Sequence, residues 1–254
     1  MDTIELQKEF LRRVEEASGK PVVLQCDPQF SGHATIRIAR NDQPAHVLLY
    51  KREHEAVLPY LVAFQCLFAL RAIEATPEAR FDLSAKPNMM PDVLKLVQDH
   101  LQKHASSSSH LAPQLAKQFG NGLGWQLRSF PVAICVDKRI HEQHSDLRQL
   151  QRQNIEQQLQ ESMHALSPKT KEIAPKEIID ANASMSAAFA LFWSQLWNEP
   201  TISTPYIAAG YKEVGTDLLA INETLSADPN QDRELIDAWA KRLRLDRWFE
   251  TIAR

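Results

Sequence analysis

The feature of this sequence that most constrains its fold is the apolar segment from Ala56 to Leu70, which is interrupted only by Pro59 and Gln65. A helix that is apolar nearly all round must be buried, so we predict that residues 53–74 form the central buried helix and that its part 57–72 is the most buried helix of the protein. Proline is tolerated only in the first turn, so the regular part is expected to start at Leu58. The segment is shorter than the roughly 20 residues of a bilayer span, which predicts a core helix.

The residues before this helix predict one further helix and a small sheet. Apolar side chains at helical spacing predict a helix over residues 3–17, which Ser18-Gly19 ends. Apolar or alternating runs predict three strands, at residues 21–26, 34–38 and 46–50. Turn residues separate the last two strands, so these two are expected to pair as a hairpin.

The rest of the chain is predicted to be mainly helical. Residues 81–91 predict a loop, Pro91 the start of a helix, Gly120–Gly124 a turn, and residues 130–136 a fourth strand or an extended connection. Helical spacing is strongest over the ranges 145–166, 175–197, 205–223 and 231–244. The predicted fold class is therefore α+β and predominantly helical, with a three-stranded N-terminal sheet packed on a buried helix and a helical C-terminal half.

One low-complexity tract suggests how the chain is divided. The four serines Ser106–Ser109 predict a mobile segment over residues 104–110 and a weak boundary. We expect an α+β region over residues 1–104 and a mainly helical region over residues 105–254, packed together as one globular unit.

Composition excludes several classes of protein. The net charge of −3 gives no general attraction to nucleic acid or to an anionic membrane. The 3 cysteines are far apart, and the 7 glycines form no nucleotide-binding loop. The N-terminus has no basic region followed by an apolar run. We therefore expect a cytoplasmic protein without a cofactor.

The buried helix also contains a pattern of a particular enzyme class. Residues 63–70 read Ala-Phe-Gln-Cys-Leu-Phe-Ala-Leu, whereas a zinc-peptidase helix reads Ala-His-Glu-x-x-His-Ala-Leu. Phe64 and Phe68 stand where the two histidines would be, and Gln65 stands where the glutamate would be. With its N-terminal helix and small sheet, the chain resembles the ImmA/IrrE type of zinc metallopeptidase. Residues 183–190 resemble the helix that supplies that family's third ligand, with Ala183 in place of a glutamate.

The departures from this pattern decide what the resemblance implies. Phenylalanine cannot bind a metal and glutamine cannot act as a general base. We therefore expect neither zinc nor peptidase activity at the degenerate site, which comprises Phe64, Gln65, Phe68 and Ala183. The leading hypothesis is a non-catalytic scaffold that binds another protein, or its own copies, as a subunit or regulator of a multi-component bacterial system.

A metal-dependent hydrolase with an unrecognised site is the first alternative. His141 and His144 are three residues apart, so both could bind one zinc ion, although a solvated helix start explains them as well. The loose group of His100, His104 and His110 has the same two interpretations. Asp137 follows an apolar run, where a solvated charge after a strand is the simpler interpretation.

The second alternative is a nucleic-acid-binding accessory protein that uses the C-terminus. Basic side chains there are interleaved with Trp239, Trp248 and Phe249, but nearby acids offset most of their charge. We predict that Trp239 is packed and that Trp248 or Phe249 is exposed to contact a protein partner. On this prediction, deleting residues 245–254 weakens binding more than folding. Trp197 is most simply a core residue, but with Trp193 it could instead anchor a partner. No nucleic-acid or membrane partner is expected on the leading hypothesis.

Overall fold

The structure is a computed structural model that describes residues 3–30, 32–40, 42–104, 110–225 and 228–254. The helices are α1 (Thr3–Ser18), α2 (Leu58–Glu74), α3 (Met89–His104), α4 (Ala112–Gln143), α5 (Arg148–Ser162), α6 (Pro168–Ile173), α7 (Lys176–Trp197), α8 (Thr204–Ala208), α9 (Lys212–Leu225) and α10 (Asp232–Arg242). The strands are β1 (Val22–Cys26), β2 (Ala34–Arg37), β3 (His46–Tyr50), β4 (Phe81–Ala85) and β5 (Phe249–Ala253). The fold is thus α+β and mostly helical, with the predicted N-terminal sheet and helical C-terminal half.

Contacts between residues group the chain into two compact units. The first unit consists of Met1–Thr76 and Cys135–Gln157, and the second consists of Pro77–Ile134 and Gln158–Arg254. The first division between the units follows α2, and the other two fall inside α4 and α5. The boundary expected near residue 104 adjoins residues 105–109, which lie outside the described residues, as does most of the segment that we expect to be mobile.

The sheet of the first unit has the strand order β1-β3-β2. β2 pairs antiparallel with β3, which confirms the predicted hairpin, and β1 pairs parallel with β3. α1 packs against α2 and buries the face that contains Leu6, Phe10 and Val14. Gly19 ends α1 with φ at 72°, a conformation that glycine adopts without strain. Helix α2 also packs on β2, as predicted.

Helix α2 begins at Leu58, as the position of Pro59 predicted. A 3₁₀ segment from Arg52 precedes it, and together they form a helical stretch of 23 residues, whose most apolar 18-residue window has a mean hydropathy of 1.8. This stretch is long and apolar enough to cross a membrane. That differs from the expectation based on the shorter segment from Ala56 to Leu70. Only half of its most apolar window is buried, and a core helix of a globular domain has the same properties.

The prediction that this helix is the most buried of the protein is wrong. Helix α7 buries 13 of its 22 residues, whereas α2 buries 8 of its 17. Small side chains explain the difference, because they let α9 approach α7 closely. A Cβ atom added at Gly215 of α9 would lie only 3.2 Å from the Cβ atom of Ala187 in α7. The second unit is therefore built around α7, with α9 against it and α10 against α9.

Helix α4 replaces two predicted features, the turn at Gly120–Gly124 and the strand at 130–136. Both predictions are wrong, since one helix runs through both regions and two of the glycines serve close packing inside it. A Cβ atom would lie 2.8 Å from Met89 Sδ at Gly120 and 2.7 Å from the Phe249 ring at Gly124. The helix also continues through Pro131, whose carbonyl accepts a hydrogen bond of 2.7 Å from Asn222 Nδ2.

The loop predicted over residues 81–91 is also wrong, since β4 lies there and α3 begins at Met89. β4 pairs antiparallel with β5, from Phe81 opposite Ala253 to Ala85 opposite Phe249. The two strands come from opposite ends of the second unit's sequence, so neither has a local hairpin signal. The helices predicted over 175–197 and 231–244 are present, and the one predicted over 205–223 is divided into α8 and α9 near Gly210.

Candidate functional site

The degenerate position Gln65 has a defined structural role in the first unit. Its side-chain Oε1 accepts a hydrogen bond of 3.0 Å from the Ile36 backbone N–H, and its Nε2 donates one of 3.0 Å to the Ala34 carbonyl. Both partners belong to β2, which is an edge strand of the sheet. The amide therefore binds the edge as a neighbouring strand would. A carboxylate could accept from Ile36 but could not donate to Ala34.

The two phenylalanines at the histidine positions belong to a row of aromatic rings along α2. The ring centroid of Phe64 lies 6.1 Å from that of Tyr60 and 6.2 Å from that of Phe68. Phe64 and Phe68 are half-buried, whereas Tyr60 is fully buried. Replacing either phenylalanine with alanine is therefore expected to cost less than the roughly 3–5 kcal/mol of a fully buried ring.

Ala183 does not extend this group within the first unit. It lies in α7 of the second unit and is completely buried. Its neighbours along the helix, including Met185 and Ala187, are buried as well. The close packing of α7 explains why residue 183 is small. This explanation does not require that a metal-binding glutamate was once at this position.

A buried polar cluster in the first unit centres on Asp137, which is 1% exposed. Asp137 Oδ1 accepts hydrogen bonds from the Tyr60 hydroxyl at 2.8 Å and from Gln151 Nε2 at 3.0 Å. Burial raises the pKa of Asp137 to about 7, although both hydrogen bonds oppose the rise. Burial, and then the charge of Asp137, raise the pKa of Tyr60 well above its ordinary value. The interpretation of Asp137 as a solvated charge is wrong.

Histidines extend this cluster on the side of Asn154. His33 Nδ1 lies 2.7 Å from Asn154 Oδ1, and the His33 ring stacks on His54 with centroids 4.1 Å apart. Asn154 Nδ2 is buried without a well-formed hydrogen bond, as is Gln151 Oε1. Asp137, Tyr60, Gln151 and Asn154 are all buried, so a substrate in solution cannot reach them.

The sequence contained one indirect signal for this cluster. If residues 130–143 are taken as a helix, Asp137 shares a face with Ala133 and Ile140, which are both buried. The strand interpretation removed that signal. Nothing in the sequence marks His33 as a partner of Asn154, because the two residues come from distant parts of the chain.

The histidines considered as metal ligands have other contacts. The His144 ring lies edge-on to Phe10, with centroids 5.0 Å apart, and burial lowers the pKa values of both His141 and His144. His100 Nε2 lies 3.1 Å from the Lys171 and Glu172 carbonyls. Within the described residues, no group of three or more His, Cys, Asp or Glu side chains could hold a metal ion.

The aromatic residues nominated for partner contact are mostly covered. Trp248 and Phe249 are 1% and 5% exposed, so the prediction that one of them is left exposed is wrong. Phe249 lies under Gly124, and β5 holds this segment against β4. Deleting residues 245–254 would therefore remove core side chains and damage folding. Trp197 is half-buried, and Trp239 is fully buried as predicted.

The basic side chains of the C-terminus are also partly neutralised. Arg242 forms an ion pair with Asp217, and Arg254 forms one with Asp82. Such pairs reduce the positive charge available to a phosphate backbone. The arrangement gives no support to the nucleic-acid alternative.

The tryptophan that the structure exposes is Trp125 on α4, with 56% of its surface accessible. Helix α4 contacts β5 where Gly124 meets Phe249, whereas Ile252 of β5, which is 45% exposed, lies three residues from Phe249 and faces the opposite side of the strand. Opposite Ile252 on β4 is Asp82, which binds Arg254 through two hydrogen bonds of 2.9 and 3.3 Å. Sequence reasoning missed Trp125 because it lies beside glycines that were interpreted as a turn.

Neither a family model, nor a curated protein sequence, nor a solved structure matches this chain. The resemblance to the ImmA/IrrE type of metallopeptidase therefore remains a prediction from the sequence.

Proposed function

We propose that this protein acts in the cytoplasm by binding another protein, as a non-catalytic subunit or regulator of a multi-component bacterial system. The exposure of Trp125 carries this proposal. Tryptophan is strongly enriched among the residues that dominate the energy of protein interfaces.

The arrangement of Gln65 supports the non-catalytic part of the proposal. Both ends of its amide are bound to β2, so the side chain is not available to orient or deprotonate a water molecule. The aromatic rings of Phe64 and Phe68 occupy the positions that would need imidazoles. On this proposal, a metallopeptidase-like scaffold has kept its packing and has replaced its catalytic groups.

Co-purification at native expression tests the binding role. We expect Trp125→Ala to lose the partner that the parent protein retains, with little change in thermal stability because the ring is exposed. Ile207→Ala is the matched control, since Ile207 is also on a helix and 40% exposed. If the partner is a second copy of the chain, the same loss appears as a fall in molar mass by light scattering. Equal recovery of the partner with Trp125→Ala and Ile207→Ala would refute the role of this surface.

Metal analysis of the purified protein tests the non-catalytic role separately. We expect far less than one zinc ion per chain and no effect of chelators on partner binding. About one equivalent of tightly bound zinc, as a zinc hydrolase carries, would refute the proposal.

A further inference from the structure

The second unit contains a pocket with an uneven distribution of charge. Its volume is about 410 Å³, within the usual range for small-molecule sites. One wall comes from α7 and the opposite wall from the segment that follows α10. The lining residues are Glu177, Asp180, Ala181, Ser184, Val214, Arg242, Leu243, Arg244, Leu245 and Arg247.

Arg244 has an unusual backbone conformation for its residue type. Its φ angle is 57°, in the left-handed region. The Arg244 N–H donates to the Lys241 carbonyl at 3.1 Å and the Leu245 N–H donates to the Ala240 carbonyl at 2.8 Å. These two bonds form a Schellman motif at the end of α10, in which glycine is the favoured residue at the position of Arg244. Arginine is disfavoured there by the backbone, so its presence calls for a role of its side chain.

The guanidinium groups of the pocket differ in their contacts. Arg244 has no ion pair or side-chain hydrogen bond with any of the residues that the structure describes. Arg247 lies over the Trp248 ring, 4.0 Å from its centroid, which fixes the group but leaves its charge uncompensated. Arg242 is bound to Asp217 Oδ2 through Nε at 2.8 Å and Nη2 at 2.7 Å. Two of the three positive charges are thus uncompensated.

The other polar groups of the pocket restrict what it can hold. Asp180 is engaged by Lys176 and by the Tyr211 hydroxyl, whose pKa burial raises to about 12. Ser184 is only 4% exposed, and its hydroxyl has no hydrogen-bond partner within the described part of the chain. Glu177 adds one negative charge, which would repel a ligand with several adjacent charges.

We propose that this pocket binds a small organic anion through a single phosphate or carboxylate group. Arg244 and Arg247 supply planar sets of N–H donors that match either group, and the Ser184 hydroxyl supplies a further donor. The apolar side chains of Val214 and Leu243 pack against the body of the ligand. This site goes beyond the proposed protein-binding role and does not depend on it.

Thermal unfolding and isothermal titration test the site with two kinds of probe at equal ionic strength. One is a phosphate monoester, glycerol 3-phosphate, and the other is a monocarboxylate, butyrate, with chloride as the reference salt. A ligand in tenfold excess over its Kd should raise Tm by about 3–6 °C for a unit of this size. Binding of either probe supports the proposal and identifies the group that the pocket prefers. Binding of neither overturns it.

The decisive variant is Arg244→Gly, because it separates binding from folding. Glycine relieves the left-handed backbone, so the variant should have an unchanged or higher Tm without ligand while its affinity for the anion falls at least tenfold. Asn198→Gly is the matched control, since Asn198 ends α7 with φ at 56° and lies outside the pocket. It should leave the affinity unchanged.

A further variant tests the direction of the electrostatic effect. Glu177→Gln removes the uncompensated negative charge and should tighten binding several-fold. Anion affinity that survives Arg244→Gly would overturn the proposal. A lower Tm of Arg244→Gly without ligand would also overturn it, because the side chain would then serve the fold.

Discussion

Asp137 is the residue whose chemistry the structure changes most. Its sequence neighbours are Val136 and Lys138, and nothing in that order indicates burial. Its pKa rises to about 7 because burial penalises the charged form by more than Tyr60 and Gln151 stabilise it. A cluster in which every central side chain is buried fixes the geometry of the first unit and makes the stability of that unit depend on pH.

We predict that Asp137→Asn reduces this dependence. In the unfolded chain the carboxyl titrates near 3.8, whereas in the folded protein it titrates near 7. Folding therefore takes up a proton between these values, so this carboxyl lowers the free energy of unfolding as the pH rises from about 4 to about 7. The difference in the free energy of unfolding between the variant and the parent should increase as the pH rises from about 4 to about 7. Above about pH 7 the difference should stay constant.

Urea unfolding at several pH values measures this difference. All 5 tryptophans belong to the second unit, so fluorescence follows that unit, and circular dichroism follows both units. The increase in the free energy of unfolding should therefore appear in the circular dichroism transition of the first unit, which tryptophan fluorescence does not report. Asp42→Asn, at an exposed carboxyl of the same unit, is the control. A parallel pH dependence in the parent and in Asp137→Asn would contradict the prediction.

Residue-level inference from the sequence succeeded where one neighbourhood determines the outcome. Trp239 lies on the apolar face of a predicted helix, and it is fully buried as predicted. It failed where the environment comes from distant residues. Trp248 has charged neighbours in sequence, yet β5 and its partner strand cover it.

At the scale of elements, α4 shows how a sequence signal can be reversed by packing. Glycines at 120, 122 and 124 and a proline at 131 are breakers in isolation, yet they lie in one helix. Two of the glycines leave room for side chains from α3 and β5 to pack against the helix. No local sequence pattern indicates these contacts. The hairpin of β2 and β3 and the start of α2 were predictable because turn residues and Pro59 act within a few positions.

We predict opposite effects for two alanine substitutions in α4. Gly122→Ala should stabilise the protein by about 0.5–1 kcal/mol, because glycine is a poor helix former and its added Cβ meets no atom within 4 Å. Gly124→Ala should destabilise it by about 1–3 kcal/mol, because the added Cβ would lie 2.7 Å from the Phe249 ring. Tryptophan fluorescence in urea measures both. Stabilisation by both substitutions would show that Phe249 moves aside without cost.

At the scale of the whole molecule, the first unit is discontinuous in sequence. Residues 135–157 complete it and supply Asp137, Gln151 and Asn154 to the buried cluster. Composition and the serine tract suggested a boundary near residue 104, because a sequence pattern reports local flexibility. Such a pattern does not indicate that residues 135–157 belong to the same compact unit as residues 1–76.

We predict that a fragment of residues 1–104 does not fold cooperatively. It lacks the buried side chains of Ile140, Leu147 and Ile155 as well as the partners of Tyr60. Circular dichroism should show a broad thermal transition, and adding a synthetic peptide of residues 135–157 should sharpen it. A fragment of residues 1–104 that unfolds in one sharp transition without the peptide would contradict this.

This discontinuity also sets an order of events during translation. The apolar helix α2 leaves the ribosome about 80 residues before Gln157, which at roughly 5–20 residues per second is a wait of about 4–16 s. Throughout that interval the buried hydroxyl of Tyr60 in α2 lacks its hydrogen-bond partner Asp137. The nascent chain is therefore a natural client for chaperones that hold apolar helices, and slow synthesis between residues 76 and 157 would prolong its exposure.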